Sequence, residues 1–325
     1  MRPISRNPKF PRAFTLVELL VVIAIIGILA GLITAAAMRA RTTAKEAVVT
    51  IEISQLDAAL KAYKEKYGDY PPDFSDISTP AGRDEILRHL RRAFPRYTPG
   101  KPSGSAHNTW AGFVADISDH YDAYSIADFD ITDLNPATAL VFWLGGLPDE
   151  NNPPRLLSFS ANARNPFMTG GSRLQPLFEF DQTRLNNNAG AITYSPNTTS
   201  GSSTPYVYFR AKNRGYYSPG TGTVKSCPVT DSSGTATVYP YAKARLDASG
   251  SWMTNDFDWM NDSSFQILSA GMDGSFGEKY LVPVDVLIGT SISDAPGDQP
   301  MVLSTNDAEY DNLTNFATGR LEDIE

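Results

Sequence analysis

"FPRAFTLVELLVVIAIIGILAGLITAAAMRA", Phe10 to Ala40, decides the fold. From Leu19 to Ala37 runs a stretch of 19 residues without a charge, and between Phe14 and Met38 the only charged side chain is Glu18. About 20 apolar residues, each rising about 1.5 Å, span the roughly 30 Å hydrocarbon core of a bilayer. The run therefore predicts a membrane-spanning helix. A secretory signal peptide has a shorter apolar core, about 7 to 15 residues, ended by small residues. Ala35, Ala36 and Ala37 imitate such an end, so cleavage after Ala37 is the competing reading. Ahead of the run stand Arg2, Arg6, Lys9 and Arg12 with no acid among the first 13 residues. Lys and Arg are held on the cytoplasmic side, which places the N-terminus there and the body of the chain outside the cytoplasmic membrane. Arg39, Arg41 and Lys45 beyond the run weaken that bias.

The pattern then changes from apolar all round to striped. Ala47, Val48, Ile51, Leu56, Ala59, Leu60, Tyr63 and Tyr67 recur at mostly three- and four-residue steps, with charged residues between them. That is one face of an amphipathic helix. Gly68, then Pro71 and Pro72, supply a stop. The spacing predicts one helix from Phe14 to Tyr67, about 80 Å long at the standard rise. Residues 14–38 would lie in the membrane and 39–67 would form the amphipathic half.

At these residues a resemblance becomes specific. "RAFTLVELLVVIAIIGILAG" resembles the N-terminal signal of type IV pilins and type II secretion pseudopilins, and "LDAALKAYKEKYGDYPPD", Leu56 to Asp73, resembles the G-type major pseudopilin. The resemblance implies a leader of residues 1–13, cut by prepilin peptidase between Ala13 and Phe14, with methylation of the new amine on Phe14. Glu18 falls on the family's fifth mature position and Gly27 on a shared glycine. The implied partners are prepilin peptidase, other pilin or pseudopilin subunits, the inner-membrane platform of a secretion system, and the membrane itself. Two departures stand out: Ala13 replaces the usual Gly before the cut, and Ala35 stands where many members carry a helix-bending proline.

An ionised carboxylate within hydrocarbon costs roughly 2.5 to 3.5 kcal/mol on insertion scales, so an acid there is expected to pair or to serve function. Cleavage would create a cationic amine on Phe14, and Glu18 of one subunit would pair with that amine on its neighbour in a filament. The plainer alternative is that Glu18 reaches into the headgroups and does little.

The rest of the 325-residue chain is acidic: the formal net charge is −8, and the four leader cations leave the remainder near −12. That argues against nucleic acid as a partner. One cysteine, Cys227, precludes an intramolecular disulfide, and the histidines are His89, His107 and His120. No G-x-S-x-G, H-E-x-x-H or G-x-x-x-x-G-K-[ST] occurs, so the chain is read as a structural subunit and not an enzyme.

Residues 68–325 are expected to form an enlarged head, making the whole an α+β protein: a helical stalk followed by antiparallel sheet. Tyr70 to Gly82 reads as a connector. "RDEILRHLRRAF", Arg83 to Phe94, reads as a helix in which His89 joins Arg88, Arg91 and Arg92 on a solvated basic face, with a patch for an acidic neighbour or envelope polymer as the alternative. "LNPATALVFWLGG", Leu134 to Gly146, reads as a buried helix capped by Asn135, with Phe142 and Trp143 in the core. "RLLSFS", "PLFEF", "AITY", "PYVYFR", "VYPYAKARL", "FQILSA" and "YLVPVDVLI" read as strands, several of them half-buried. "NNNAGAITYSPNTTSGSSTP", Asn186 to Pro205, marks long surface loops, and "NDFDWMNDSS", Asn255 to Ser264, a solvated acidic turn. "FQILSAGMDGSFGEKY" resembles the G-type pseudopilin again, which implies calcium held by Asp273 with Asp307 and Asp311; carboxylate and carbonyl oxygens on a glycine-turned loop suit that ion.

The favoured reading is a pilin-like subunit of a type II secretion pseudopilus. Its alternatives are a surface type IV pilus or minor pilin adhesin, a ligand-binding module or enzyme displayed on a pilin-type anchor, and a secreted protein cut after Ala37.

Overall fold

In a computed structural model the chain is described over residues 15–123, 129–149, 155–188, 191–197, 203–219, 221–232, 234–246, 252–276 and 312–317. It divides into two compact units, residues 1–44 and 45–325. The architecture is α+β: a 52-residue N-terminal helix, α1 (Leu16–Tyr67), followed by a head of small antiparallel sheets. α1 ends where Gly68 adopts φ 83° and its N–H donates to Lys64 O at 2.7 Å, as the glycine stop requires.

Within the second unit, α1 buries Val49, Ile53, Leu56, Ala59, Leu60 and Tyr63. The stripe is correct from Leu56 onward and wrong before it. Val48 and Ile51 are exposed, while Val49 and Ile53 are buried. Alternating steps of three and four, carried back from Leu56, reach Ile53 and then Val49, so the helical period selects these over their equally apolar neighbours.

The segment after α1 is not a loose connector. Tyr70, Asp73 and Phe74 are buried, and head groups clamp it along its length. Tyr208 donates its hydroxyl to Pro71 O at 2.8 Å, and Trp143 Nε1–H donates to Pro72 O at 2.8 Å. α2 (Pro80–Ala93) begins three residues earlier than its apolar pattern suggests, because Thr79 Oγ1 accepts from Gly82 N at 3.1 Å and Pro80 sits in the first turn. α3 (Trp110–Ala123) has no counterpart among the sequence expectations. Its buried Asp116 accepts from Tyr97 Oη and Gly100 N, both at 2.7 Å, and from Ser103 N at 2.9 Å, tying a long loop onto the helix.

Asn135 caps the next helical turn, its Oδ1 accepting from Ala137 N at 2.9 Å, and a five-residue π-helical turn, Val141–Gly145, buries Phe142 and Trp143 as expected. The strands follow as β1 (Leu147–Asp149), β2 (Arg155–Leu157), β3 (Leu185–Asn188), β4 (Ala191–Tyr194), β5 (Val207–Arg210), β6 (Cys227–Asp231), β7 (Gly234–Val238), β8 (Ala242–Leu246), β9 (Trp252–Trp259), β10 (Phe265–Ser269) and β11 (Leu313–Thr314). β10 lies between β5 and β11; the other strands pair as β1–β2, β3–β4, β6–β7 and β8–β9, all antiparallel.

The central sheet is buried on both faces, not half-buried. Tyr206, Tyr208, Phe265 and Ile267 join the cluster around α1 and α2, whereas Val207, Phe209 and Leu268 join a second cluster with Cys227, Val229 and Val238. Period-two alternation sends successive side chains to opposite faces, and here both faces meet apolar neighbours. Three further expectations are corrected. "PLFEF" forms no strand; Phe178 and Phe180 instead pack against Tyr194. The first half of the acidic segment at 255–264 lies in β9, and the β3–β4 hairpin occupies the start of the supposed surface loop at 186–205. "YLVPVDVLI", residues 280–288, lies outside the described residues.

Candidate functional site

The first turn of α1 shows what Glu18 does locally. Thr15 N and Thr15 Oγ1 both donate to Glu18 Oε2, at 2.9 and 2.8 Å, and Glu18 N donates back to Thr15 Oγ1 at 3.2 Å. This is a capping box built on T-x-x-E: each residue satisfies a backbone donor that the helix start leaves unpaired. The signal for it is the "TLVE" stretch itself, Thr-x-x-Glu ahead of an apolar run. Both bonds use Oε2, so Oε1 has no hydrogen-bond partner among the described residues.

After this cap, every side chain from Leu16 to Met38 is exposed. Leu16, Ile23, Ile28, Leu32 and Ile33 are each 59% exposed or more. By length and composition α1 contains a window fit to cross a membrane, and none of that window is buried in the protein. Gly27 and Gly31, four residues apart, have no atom within 4 Å of where a side chain would begin, which leaves that face open to close approach. Ala13 and Phe14, the expected processing residues, lie outside the described residues.

The amphipathic half of α1 carries the opposite kind of acid. Glu52 accepts from Arg184 Nη1 at 2.9 Å, from Tyr194 Oη at 2.7 Å and from Tyr206 Oη at 2.7 Å, and it meets Arg184 Nη2 as well. Burial raises its pKa, and the Arg184 and tyrosine bonds outweigh that, leaving it below the usual glutamate value. Further along, Asp73 and Lys225 form a buried ion pair at 2.7 Å, and Arg210 N donates to the same carboxylate oxygen at 2.8 Å. Burial opposes the charge on Asp73, but Lys225 and these hydrogen bonds hold its pKa below the ordinary range.

Arg88, Arg91 and Arg92 are exposed as expected, but His89 does not share their solvated face. It is 4% exposed, and its Nε2 lies 2.9 Å from Tyr63 Oη. Burial, with Arg210 and Arg92 nearby, lowers its pKa to about 3. It is a neutral core group beside exposed arginines, because α2 turns its Ile86–Leu90 side inward.

Of the three expected calcium ligands, Asp273 is described and Asp307 and Asp311 are not. Asp273 Oδ1 accepts from Ser275 N at 2.8 Å, and desolvation together with the charge of Asp231 raises its pKa. Asp231 is itself engaged by Phe276 N at 3.1 Å. No cluster of three or more His, Cys, Asp or Glu residues suited to a metal lies among the described residues. The described residues alone therefore do not make a calcium cage.

A family model described as the prokaryotic N-terminal methylation motif matches residues 9–34. No curated protein and no solved structure matches the chain. The motif match covers the leader junction, the capping box and most of the apolar run. It supports a pilin-type subunit, membrane-anchored by an apolar N-terminal helix and processed by prepilin peptidase.

Proposed function

We propose that this chain is a structural subunit of a pseudopilus of the type II secretion kind, most similar to the G-type major subunit. The observation that carries the reading is the methylation motif at 9–34, which overlaps the start of α1, whose residues up to Met38 are all exposed. A helix apolar all round needs lipid or other helices, and a subunit that moves from membrane to filament meets each in turn. Prepilin peptidase cuts between Ala13 and Phe14. The new amine on Phe14 then pairs with Glu18 of a neighbouring subunit, for which Oε1 is free. The N-terminus lies in the cytoplasm, the head lies outside the inner membrane, and the subunit docks on the secretion platform before assembly. Its role is assembly and not catalysis.

Mass spectrometry of the native protein tests the processing step directly. A mature chain beginning at N-methylated Phe14 is expected; one beginning after Ala37 has lost the assembly helix and overturns the reading. Deletion of the gene separates the two kinds of filament. Loss of secretion of folded enzymes with surface pili intact supports the pseudopilus, and the reverse result assigns a surface pilus.

A further inference from the structure

The exposed side of α2 carries Arg88 and Arg92 one turn apart, with His89 buried beside them. The end of β5 and the turn after it bring Arg210 and Lys212 to the same place, and with Asp69 and Glu85 these residues line an open cleft of about 170 Å³. Arg88 and Lys212 also wall a second cleft, about 510 Å³, that runs past Asp84 and Asn213 to Tyr217 and Ser218.

Three features of this double cleft ask for a ligand. The first is charge. The smaller cleft holds four cations against two carboxylates in a chain whose net charge is −8. Arg92, Asp69, Arg210, Glu85 and Lys212 form one alternating ladder of ion pairs, at 3.1, 2.8, 3.4 and 2.6 Å. Arg88 stands outside that ladder, exposed, with no hydrogen-bond or ion-pair partner among the described residues. A guanidinium with its fork free is suited to a carboxylate.

The second is a polar atom left without a partner. Tyr63 Oη and His89 Nε2 share a buried hydrogen bond at 2.9 Å, and the other ring nitrogen, Nδ1, is buried with no hydrogen-bond partner among the described residues. His89 is one of the residues that line the smaller cleft, so an unmade hydrogen bond sits in a residue of its wall. The third is Tyr217. Among the described residues it is the only large apolar side chain outside α1 that is exposed, and an edge-on contact with Trp259 at 5.4 Å fixes its ring. An aromatic ring beside Asn, Ser and Asp side chains matches a sugar, which has an apolar C–H face and a rim of hydroxyls.

We propose that this groove binds an acidic saccharide, a sugar chain bearing carboxylates such as a uronic acid oligomer. One carboxylate lies between Arg88, Lys212 and the His89 side of the smaller cleft, and the adjoining ring lies on Tyr217 with its hydroxyls toward Asn213, Ser218 and Asp84. The site does not depend on how the N-terminus is processed or on which filament the chain enters.

Calorimetry on the full chain in detergent tests it with three probes: trigalacturonate, neutral maltotriose and inorganic phosphate. Saturable binding of trigalacturonate is expected, with affinity at least tenfold above that for either other probe. Arg88→Gln is expected to weaken binding at least tenfold and Tyr217→Ala at least threefold, and both residues are exposed enough that the melting temperature stays unchanged. Absence of trigalacturonate binding overturns the proposal. Equal affinity for phosphate, or a loss in Arg88→Gln with none in Tyr217→Ala, reduces the site to a general oxyanion pocket and overturns the saccharide.

Discussion

Residues 16–44 and 45–67 belong to one helix and obey opposite rules. The first stretch is the more apolar of the two, yet its spanning window buries nothing within the protein. The second is heavily charged, yet Val49, Ile53, Leu56, Leu60 and Tyr63 along it are at most 1% exposed. Hydrophobicity alone therefore does not say where a helix is buried; the arrangement does. An apolar surface all round the helix has no preferred side and suits lipid or like helices, whereas a single stripe fixes which side meets the head. The two acids repeat the contrast. Glu18 closes its own helix start through Thr15, while Glu52 is held by Arg184, Tyr194 and Tyr206 from distant parts of the sequence.

The largest effect is expected where the helix is knotted to the head. Glu52→Ala takes the shared acceptor from two tyrosine hydroxyls and the main ion-pair partner from a part-buried guanidinium, which keeps only Asp181 and Ser195 O, a change worth about 3 kcal/mol. Urea unfolding of the full chain in mild detergent, followed by tryptophan fluorescence, measures it. A loss below about 1 kcal/mol means the knot does not hold the helix. Leu60→Ala, at a fully buried position, is expected to cost about 2 to 5 kcal/mol by the same measurement, through lost contacts and a residual cavity.

Acid sharpens the comparison next, because the head half carries the buried imidazole. The folded pKa of His89 is depressed to about 3 from an ordinary 6.5, so its contribution to stability is complete above pH 6.5 and declines as pH falls toward 3. Between pH 7 and pH 5 the loss from this one residue is about 2 kcal/mol. Its neighbour in kind, His120, is shifted in the same direction by burial and adds to the trend. His89→Gln keeps an acceptor for Tyr63 and removes the proton uptake, so its stability is expected to be flatter by about 2 kcal/mol over that range. An unchanged pH slope shows that the imidazole is not buried neutral in solution.

The long helix was legible in the sequence because its two hydrophobic patterns are strong and its stop is written in Gly68, Pro71 and Pro72. The stripe is ambiguous at Val48 and Ile51 because adjacent apolar residues compete for one face, and only the period carried back from Leu56 decides between them. The head was less legible. α3 carries an apolar stripe, Phe113, Ile117 and Tyr121, but its loop is fastened by Asp116, a buried acid whose three donors, from Tyr97, Gly100 and Ser103, lie outside the helix and leave no local pattern. His89 reads as solvated surface because it stands among arginines, and nothing local marks Glu52 as buried; their partners lie 26 to 154 residues away and leave no local trace. The local site was written plainly, since "TLVE" is a capping box at the level of residue types.

That capping box allows the smallest change in head stability to carry the most specific test of assembly. Glu18→Gln keeps an amide oxygen in the third helical position, where Gln serves a capping box as Glu does, and removes only the charge. Helix content and head stability are expected to stay within about 0.5 kcal/mol of the native chain, as they are for Leu29→Ala, because neither residue is buried against the head. Filament incorporation responds to the charge alone. If the carboxylate pairs with the methylated amine of a neighbour, Glu18→Gln is cut and anchored normally but is depleted from mixed filaments. Glu18→Ala removes cap and charge together and is expected to be depleted at least as much. Quantitative mass spectrometry of sheared filaments reads both. Incorporation of Glu18→Gln at the native ratio, with Glu18→Ala impaired, assigns the acid to helix capping and removes the intersubunit pair.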